Sequence, residues 1–250
     1  MKKRILLMAL CLLAIAVFSS PATRQSWAGR ERNEIRFSKA KIIIEFNSTA
    51  EDVGVQVSLD GEPWKMVAAF DPNGSKILDI LGQRSLNKQG LTELFFESSE
   101  PSLVDLPIEE FLARFPAGEY GFEGETIEGD EIEGEAILTH VIPKGPAIIS
   151  PASTTNDPPV VDPNNLVIAW EPVTESITGS EAIEIGGYQV IVEQVEPHRV
   201  YSIDLPASRT SVRVPQEFFV QRDTLHIFEV LAIEAGGNQT ITEGNFVTAK

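Results

Sequence analysis

The chain has 250 residues, of which 37 are acidic and 20 are basic, giving a formal net charge of −17. A surface with this charge repels phosphate backbones and anionic membranes, so we exclude nucleic acid as an expected partner. No later apolar stretch is long enough to span a bilayer, so we expect no transmembrane segment in the mature chain.

Residues 1–28 have the pattern of a signal peptide. Lys2, Lys3 and Arg4 form a positive start, and the apolar run that follows is short for a membrane span. Small residues predict cleavage after Ala22 or Ala28, and the second choice leaves 16 basic against 37 acidic residues, a net charge of −21. We therefore expect an exported protein, periplasmic or extracellular, of bacterial origin.

Cys11 is the only cysteine, and it lies within this predicted signal. Because Leu10 precedes it and the apolar run continues to Phe18, the site does not fit lipid attachment. The mature chain would then have no disulfide, no thiol catalysis and no cysteine-ligated metal, so a hydrophobic core must hold it together.

Residues 29–145 predict a β-sandwich domain of immunoglobulin-like or jelly-roll-like type. The stretch KAKIIIEFN is rich in β-branched residues, and Val53, Val55, Val57 and Leu59 are spaced two apart, as in a strand with one buried face. Two turn signals follow, DGEP at 60–63 and DPNG at 71–74. The stretch LTELFFES predicts another strand, and DLPIEEFLARF predicts the domain's one short helix, starting near Pro107.

The most acidic run of the chain, FEGETIEGDEIEGEAILTH at 122–140, predicts a β-hairpin. Alternation places Tyr120 and Phe122 on one face and Glu119 and Glu123 on the other, and Gly129-Asp130 suits a tight turn. The returning strand, predicted to reach Ile142, places His140 beside Leu138 on one face. Because the carboxylates are spread along the strands, we expect no strong metal site, although a weak cation site at the tip remains an alternative.

Residues 144–165 are rich in proline, asparagine and aspartate, which marks a domain boundary. The predicted domains are therefore the signal at 1–28, the first sandwich at 29–145 and a second sandwich at 146–250. Short strands at regular spacing favour an antiparallel sandwich in the last segment: LVIAW, GYQVIVEQV, RVYSIDL, TSVRV, HIFEVLAIE and QTITE.

Residues 146–250 resemble a fibronectin type III domain. The resemblance is carried by the stretches PAIISP, LVIAWEPV, GGYQVIVE and HIFEVLAIEAGGNQT. It implies a core between two facing sheets, built from Leu166, Ile168, Trp170, Tyr188, Val190, Val192, Phe228, Val230 and Ala232. It also implies a spacer or recognition module rather than a catalyst. The adhesive Arg-Gly-Asp loop of the family is absent, since the corresponding turn reads EAGGNQT.

The chain departs from the family at His226, which stands where a tyrosine usually bonds back to a nearby backbone group. We expect an imidazole N–H to replace the phenol O–H. A pH-sensing or metal role is the alternative, but no second histidine lies at ligand spacing.

The sequence assigns no catalytic, cofactor-binding or metal residue, and we expect a protein that is not an enzyme and has no cofactor. The three histidines, His140, His198 and His226, form neither a zinc motif nor a recognisable serine triad. Phosphate-binding glycine loops are also missing. The enzymatic alternative is a carboxylate-dependent glycan hydrolase, which needs two carboxylates facing each other in a cleft.

The other alternative is a calcium-stabilised surface protein, because oxygen-rich turns suit hard cations. The candidate ligands are Asp71, Asn73 and Ser75 in one turn, Asp157, Asp162 and Asn164 in the boundary segment, and the hairpin tip. Three asparagines, Asn47, Asn73 and Asn238, fit the N-glycosylation pattern. Trp64, beside a turn signal, is interpreted as a core or rim residue, with a sugar-binding platform as the alternative.

The sequence therefore predicts an all-β protein with a signal peptide followed by two antiparallel β-sandwich domains. It predicts an exported, non-enzymatic binding or surface-structural protein that uses its fibronectin type III-like module for recognition or spacing. The expected partner is a protein or a glycan.

Overall fold

The computed structural model describes residues 33–152, 158–179 and 183–250. The predicted signal, its cleavage sites and Asp157 lie outside the described residues, so they stay predictions. The fold is all-β as predicted, with strands arranged in sandwich-like sheets. Within the described part of the chain, no helix is both long and apolar enough to cross a membrane.

The first sandwich takes up the chain from β1 to β7. Its elements are β1 Glu34–Arg36, β2 Lys39–Asn47, β3 Asp52–Phe70, β4 Lys76–Leu81, α1 Ser85–Gln89, β5 Leu91–Glu97, α2 Ile108–Arg114, β6 Gly118–Thr126 and β7 Glu131–Leu138. The strand β3 belongs to both layers, because its first half pairs with β2 and β5 and its second half pairs with β4 and β6.

The predicted turn at 60–63 is wrong, because β3 runs through it as one strand of 19 residues. The pairing register breaks between Asp60 and Trp64, where the strand leaves one layer and enters the other. Gly61 fits this crossing because a Cβ there would lie 2.9 Å from the Phe37 ring. The glycine and proline that suggested a turn thus mark a bend within a strand.

The predicted helix is confirmed as α2, which follows Pro107 and buries Phe111 against the first core. Proline suits this position because the first helical residue needs no backbone N–H donor. The helix α1 was not predicted; it has five residues and buries none of them. A helix without an apolar face leaves no periodic signal in the sequence.

The second sandwich follows from β8 onward. Its elements are β8 Ile148–Ser150, β9 Val160–Val161, β10 Val167–Trp170, β11 Ile185–Gln194, β12 Arg199–Pro206, β13 Ser211–Arg213, a 3₁₀ turn at Gln216–Phe218, β14 Leu225–Glu234 and β15 Gln239–Thr248. The strands β13, β10 and β8 form one sheet, and β15, β14, β11 and β12 form the facing one. This is a fibronectin type III-like arrangement, as the sequence implied.

Each sandwich has its own hydrophobic core. All nine residues implied by the family resemblance lie in the second core, where the rings of Trp170 and Tyr188 are 5.3 Å apart. The Tyr188 hydroxyl accepts the Val173 N–H at 2.9 Å, so this buried phenol is satisfied. Trp64 belongs to the first core and is fully buried, which confirms it as a core residue and overturns its interpretation as a sugar platform.

The sheets of the two sandwiches are joined by hydrogen bonds between β2 and β15. These strands run parallel, with Glu45 opposite Gln239 and Asn47 opposite Ile241. The strands β3, β2, β15, β14, β11 and β12 therefore follow one another in one continuous sheet, which we call the shared sheet. The predicted boundary segment holds β8 and β9, and β9 also pairs with β15.

Candidate functional site

The acidic hairpin forms one wall of a groove on the outer face of the first sandwich. The predicted hairpin is confirmed, with Tyr120 and Phe122 in the core and Glu119 and Glu123 exposed. The return strand ends at Leu138, earlier than predicted, and His140 instead meets the Phe115 carbonyl oxygen at 2.9 Å. The hairpin is thus more than a solvated surface, because its outer face borders a cavity.

This cavity, the acidic groove, has a volume of about 460 Å³. Its lining combines apolar residues of β3 with glutamates of the hairpin: Met66, Ala68, Phe70, Lys76, Glu123, Gly124, Glu125, Glu131, Ile132 and Glu133. The sequence did not predict the groove, because β3 and the hairpin meet only through the pairing of β3 with β6.

Glutamates stand opposite one another across the hairpin. Glu123 pairs in register with Glu133, and Glu125 pairs with Glu131. Lys65 neutralises Glu125 at 2.8 Å, and Arg36 neutralises Glu133 at 2.8 Å. A hydrogen bond to Glu34, followed by burial, raises the pKa of the Glu133 carboxyl. The wall is therefore strongly anionic, with only part of its charge compensated.

A second acidic cluster, which we call the carboxylate cluster, lies beside the junction of the two sandwiches. Carboxylate oxygens of Glu45, Glu97 and Glu100 all lie within 4.8 Å of one another, close enough to hold a metal ion. These residues come from β2, β5 and the segment that follows β5, so sequence spacing gives no sign of them. They line neither the acidic groove nor the similar cavity beside the hairpin tip.

Burial sets the chemistry of the carboxylate cluster. Glu45 is 8% exposed, and burial, with further repulsion from Glu97 and Glu100, raises its pKa to about 7. The Gln239 side-chain amide donates a hydrogen bond to the Glu45 carboxylate, which partly offsets this rise. Near neutral pH the cluster therefore holds or releases a proton at the point where β2 meets β15.

The buried side chain of Asn238 makes several hydrogen bonds across the junction. The Asn238 oxygen accepts the Ile44 N–H at 2.8 Å, and its amide donates to the carbonyl oxygens of Thr139 and Val141, each at 2.9 Å. Asn238 is only 2% exposed. Its side chain is thus buried and committed to hydrogen bonds within the structure, although its sequence fits the N-glycosylation pattern.

The oxygen-rich turns use their carboxylates for local hydrogen bonds. The Asp71 carboxylate accepts the N–H groups of Asn73 and Ser75 at 2.9 and 2.8 Å, and Gly74 closes the turn with φ 77°. Asp162 accepts the Asn164 N–H at 2.9 Å. This hydrogen bond, with others from neighbouring side chains, lowers the pKa of Asp162. Both sites have the geometry of turns.

The histidines lie in three separate environments. His140 bonds a backbone oxygen of the first sandwich, and His198 lies 3.4 Å from Glu193 at the surface. His226 is fully buried and donates from Nδ1 to the Thr224 carbonyl oxygen at 3.0 Å, as the sequence led us to expect. Among the described residues its Nε2 has no hydrogen-bond partner, and burial lowers the pKa of the imidazole. The structure brings none of them together.

No protein-family model and no curated protein matches the chain. Among solved structures, the FN1–FN3 domains of chicken CNTN1 are 11% identical, with a TM-score of 0.32, over 88% of this chain and 66% of that one. Two fibronectin type III domains of chicken tenascin are 9% identical, with a TM-score of 0.31, over 85% of this chain and 99% of that one.

A structure of a bacterial ice-binding adhesin is 16% identical, with a TM-score of 0.27, over 88% of this chain and 66% of that one. This chain therefore spans 66% of the length of two of these three structures. At such TM-scores the likeness transfers no function and no residue role to this chain.

One sequence signal pointed to the junction and was missed. The run Ile42-Ile43-Ile44 is continuously apolar, and all three residues are buried. An unbroken apolar run is typical of a strand that is covered on both faces. It indicated that β2 lies inside a larger sheet, although it gave no sign that β15 would be the neighbour.

Proposed function

We propose that this chain is an exported, non-enzymatic protein that binds a protein or glycan partner at the cell envelope or outside the cell. In this proposal the two sandwiches act as one rigid unit for recognition or spacing. The observation that carries it is the shared sheet, in which β2 and β15 continue the hydrogen-bonding of both sandwiches.

Side chains reinforce this strand pairing along its length. The Asn47 amide donates to Glu243 at 2.6 Å, and the Ser48 hydroxyl donates to the Ile241 carbonyl oxygen at 2.8 Å. The Thr240 hydroxyl donates to the Pro143 carbonyl oxygen at 2.6 Å, with Thr240 fully buried. A junction of this kind suits a protein that holds a binding surface at a fixed distance and angle.

The enzymatic alternative is supported by one observation, the raised pKa of Glu45 beside two further carboxylates. A glycan hydrolase places its two carboxylates on opposite sides of a sugar bond, about 5–10 Å apart. The carboxylate cluster instead places three carboxylates within 4.8 Å of one another, from β2, β5 and the segment after β5. A non-catalytic role therefore has the stronger support.

The test uses the purified protein on an array of envelope glycans and in a crosslinking pull-down from an envelope extract. We expect capture of a glycan or of one saturable protein partner, with no change in the mass of any glycan. Release of shortened glycans by the wild type, abolished in Glu45→Gln and Glu97→Gln, would overturn the non-enzymatic proposal. Exposed Glu109→Gln serves as the matched control.

Export is tested separately by cell fractionation of the full chain and of a variant lacking residues 2–28. The full chain is expected in the periplasm or the medium, and the shortened chain in the cytosol. A full chain that stays in the cytosol would contradict export.

A further inference from the structure

The floor of the acidic groove is apolar and faces away from the first core. It is formed by Met66, Ala68 and Phe70, which alternate with the core residues Val67 and Ala69 along β3. On the neighbouring strand β4, Leu81 extends the floor opposite Met66 and is 58% exposed, whereas Asp79 stands opposite Ala68. An apolar strip of this kind on an outer sheet face is a candidate contact surface.

The groove is open above β6. A Cβ built on Gly121 would meet no atom within 4 Å, and Gly121 stands opposite Glu135 on the hairpin and Phe70 on β3. The open position at Gly121 separates Phe70 from Glu135, whereas Glu123 stands directly opposite Ala68 of the floor. An incoming side chain can contact the apolar strip and the glutamates at once.

The anionic wall of the groove is only partly neutralised. Glu123 lines the groove, and Glu119 and Glu135 flank it on the hairpin. All three are exposed, and none has an ion-pair partner among the described residues. Like charges that face each other across strands destabilise a hairpin. In the pair of Glu123 with Glu133, Arg36 already compensates Glu133, so Glu123 is the carboxylate that a cationic partner would neutralise.

The protein already shows how a cation occupies this surface. The Lys76 ammonium lies 5.9 Å from the centre of the Phe70 ring, a cation–π contact at the edge of the groove floor. Lysine and arginine combine an apolar stem with a charged head. A second such side chain would place its stem on the floor and its head at Glu123.

We propose that the acidic groove is a docking surface for an extended, lysine- or arginine-rich segment of a partner protein whose basic residues alternate with aliphatic ones. This inference rests on the proposed function, because it names the chemistry of the partner. The basic residues meet the hairpin carboxylates, and the aliphatic residues meet the strip that Met66 and Leu81 form.

Other occupants fit less well. A second copy of the chain carries the same net charge of −17, and nucleic acid is itself a polyanion. A divalent cation needs carboxylates that converge, and among the described residues a group of three within reach is found at Glu45, Glu97 and Glu100 instead. Charge complementarity thus selects a cationic polypeptide.

The test measures fluorescence anisotropy of a labelled short peptide of alternating lysine and valine. Two analogues replace lysine by glutamate or valine by serine. The lysine–valine peptide is expected to bind the wild type, and this binding is expected to weaken when the salt concentration is raised from about 0.05 to about 0.5 M. The Glu123→Gln/Glu135→Gln double variant, which breaks no ion pair within the described part of the chain, is expected to bind the peptide about five-fold more weakly.

The matched control is Glu109→Gln/Glu217→Gln, two exposed glutamates outside the groove. Equal binding by the two double variants would overturn the proposal. Equal binding of the serine analogue would also overturn it, because charge alone would then suffice. Neither result bears on the broader proposed function, because the glycan array and the pull-down test that function independently. If the array and the pull-down capture no partner but the peptide still binds, the proposed function fails and the acidic groove remains a peptide-binding surface.

Discussion

The Asn238 side-chain oxygen accepts the backbone N–H of Ile44 at 2.8 Å, although the two residues are 194 positions apart in the chain. The same side chain donates to the carbonyl oxygens of Thr139 and Val141. One amide therefore ties β2 to the end of the first sandwich. Asn238 itself lies in the turn that precedes β15, the last strand of the second sandwich.

Replacing this amide should destabilise the protein strongly. In Asn238→Ala one buried N–H and two carbonyl oxygens lose their partner, which predicts a loss of about 2–4 kcal/mol in the free energy of unfolding. Asn238→Asp keeps the shape but loses both amide donors, so it should be destabilised as well. Urea unfolding measures both. Asn73→Ala, at an exposed turn, is the control, and a loss no larger than that of the control would contradict the role of Asn238.

Glu45 should make the protein less stable as the pH rises. Its pKa is about 7 in the folded protein against 4.5 for the free carboxyl. The folded state therefore binds the proton more tightly, so the contribution is complete below about pH 4.5 and is lost as the pH rises through about 7. The loss amounts to at most about 3 kcal/mol.

Glu45→Gln removes this dependence, since an amide does not titrate. Unfolding in urea at about pH 5 and about pH 8 should show a smaller pH effect in the variant than in the wild type. Glu109→Gln, exposed on α2, should keep the wild-type pH dependence. Identical pH profiles for the wild type and Glu45→Gln would show that Glu45 titrates normally.

Titration of His226 should make the protein less stable as the pH falls, the opposite of the effect expected for Glu45. Burial lowers its pKa below 6.5, so the folded state releases the proton that the unfolded chain binds, and stability is lost as the pH falls below about 6.5. The ring stacks on Phe246 at 5.1 Å, which leaves no polar neighbour on that face.

His226→Phe tests this directly. At about pH 8 the variant should be less stable by about 1 kcal/mol, because the hydrogen bond to the Thr224 carbonyl oxygen is lost. The difference should shrink at about pH 5, since phenylalanine carries no proton and keeps the stacking on Phe246. Thermal melts at both pH values measure it, and a difference that grows toward acid pH would refute the assignment.

Crowding at the turn before Asn238 can be separated from backbone strain. Gly237 has φ 105°, and a Cβ there would lie 2.9 Å from the flexible Lys41 Cε and 3.3 Å from the β-branched Ile43 Cγ2, whereas Gly74, with φ 77°, faces open space. Both alanine variants suffer the strain of positive φ, about 1 kcal/mol. Gly237→Ala should lose more of the free energy of unfolding than Gly74→Ala, as measured by chemical denaturation. Equal losses would show that the residues around Gly237 accommodate the added methyl group without loss of stability.

Local patterns predicted much of the fold. The alternation around Tyr120 and Phe122 gave the faces of the hairpin, and Pro107 marked the start of α2. The second core, with Trp170 and Tyr188 on facing sheets, was implied by the resemblance to a fibronectin type III domain. In the first two cases residues close in sequence determine the structure.

The candidate sites were harder to predict, because distant segments form them. The carboxylate cluster joins Glu45 to Glu97, and the junction joins Ile44 to Asn238, neither at a spacing that local periodicity can report. The bend at Gly61 resembled a turn because glycine and proline serve both. Parallel pairing between strands of two sandwiches follows from the whole fold and not from any single segment.

Differential scanning calorimetry of the purified protein measures most directly whether the shared sheet makes the two sandwiches one unit. We expect a single transition in which the calorimetric and van't Hoff enthalpies agree, because the β2–β15 pairing and Asn238 couple both cores. Two resolved transitions in the wild type, unchanged in Asn238→Ala, would show that the sandwiches unfold independently and would contradict the rigid unit on which the proposed function rests.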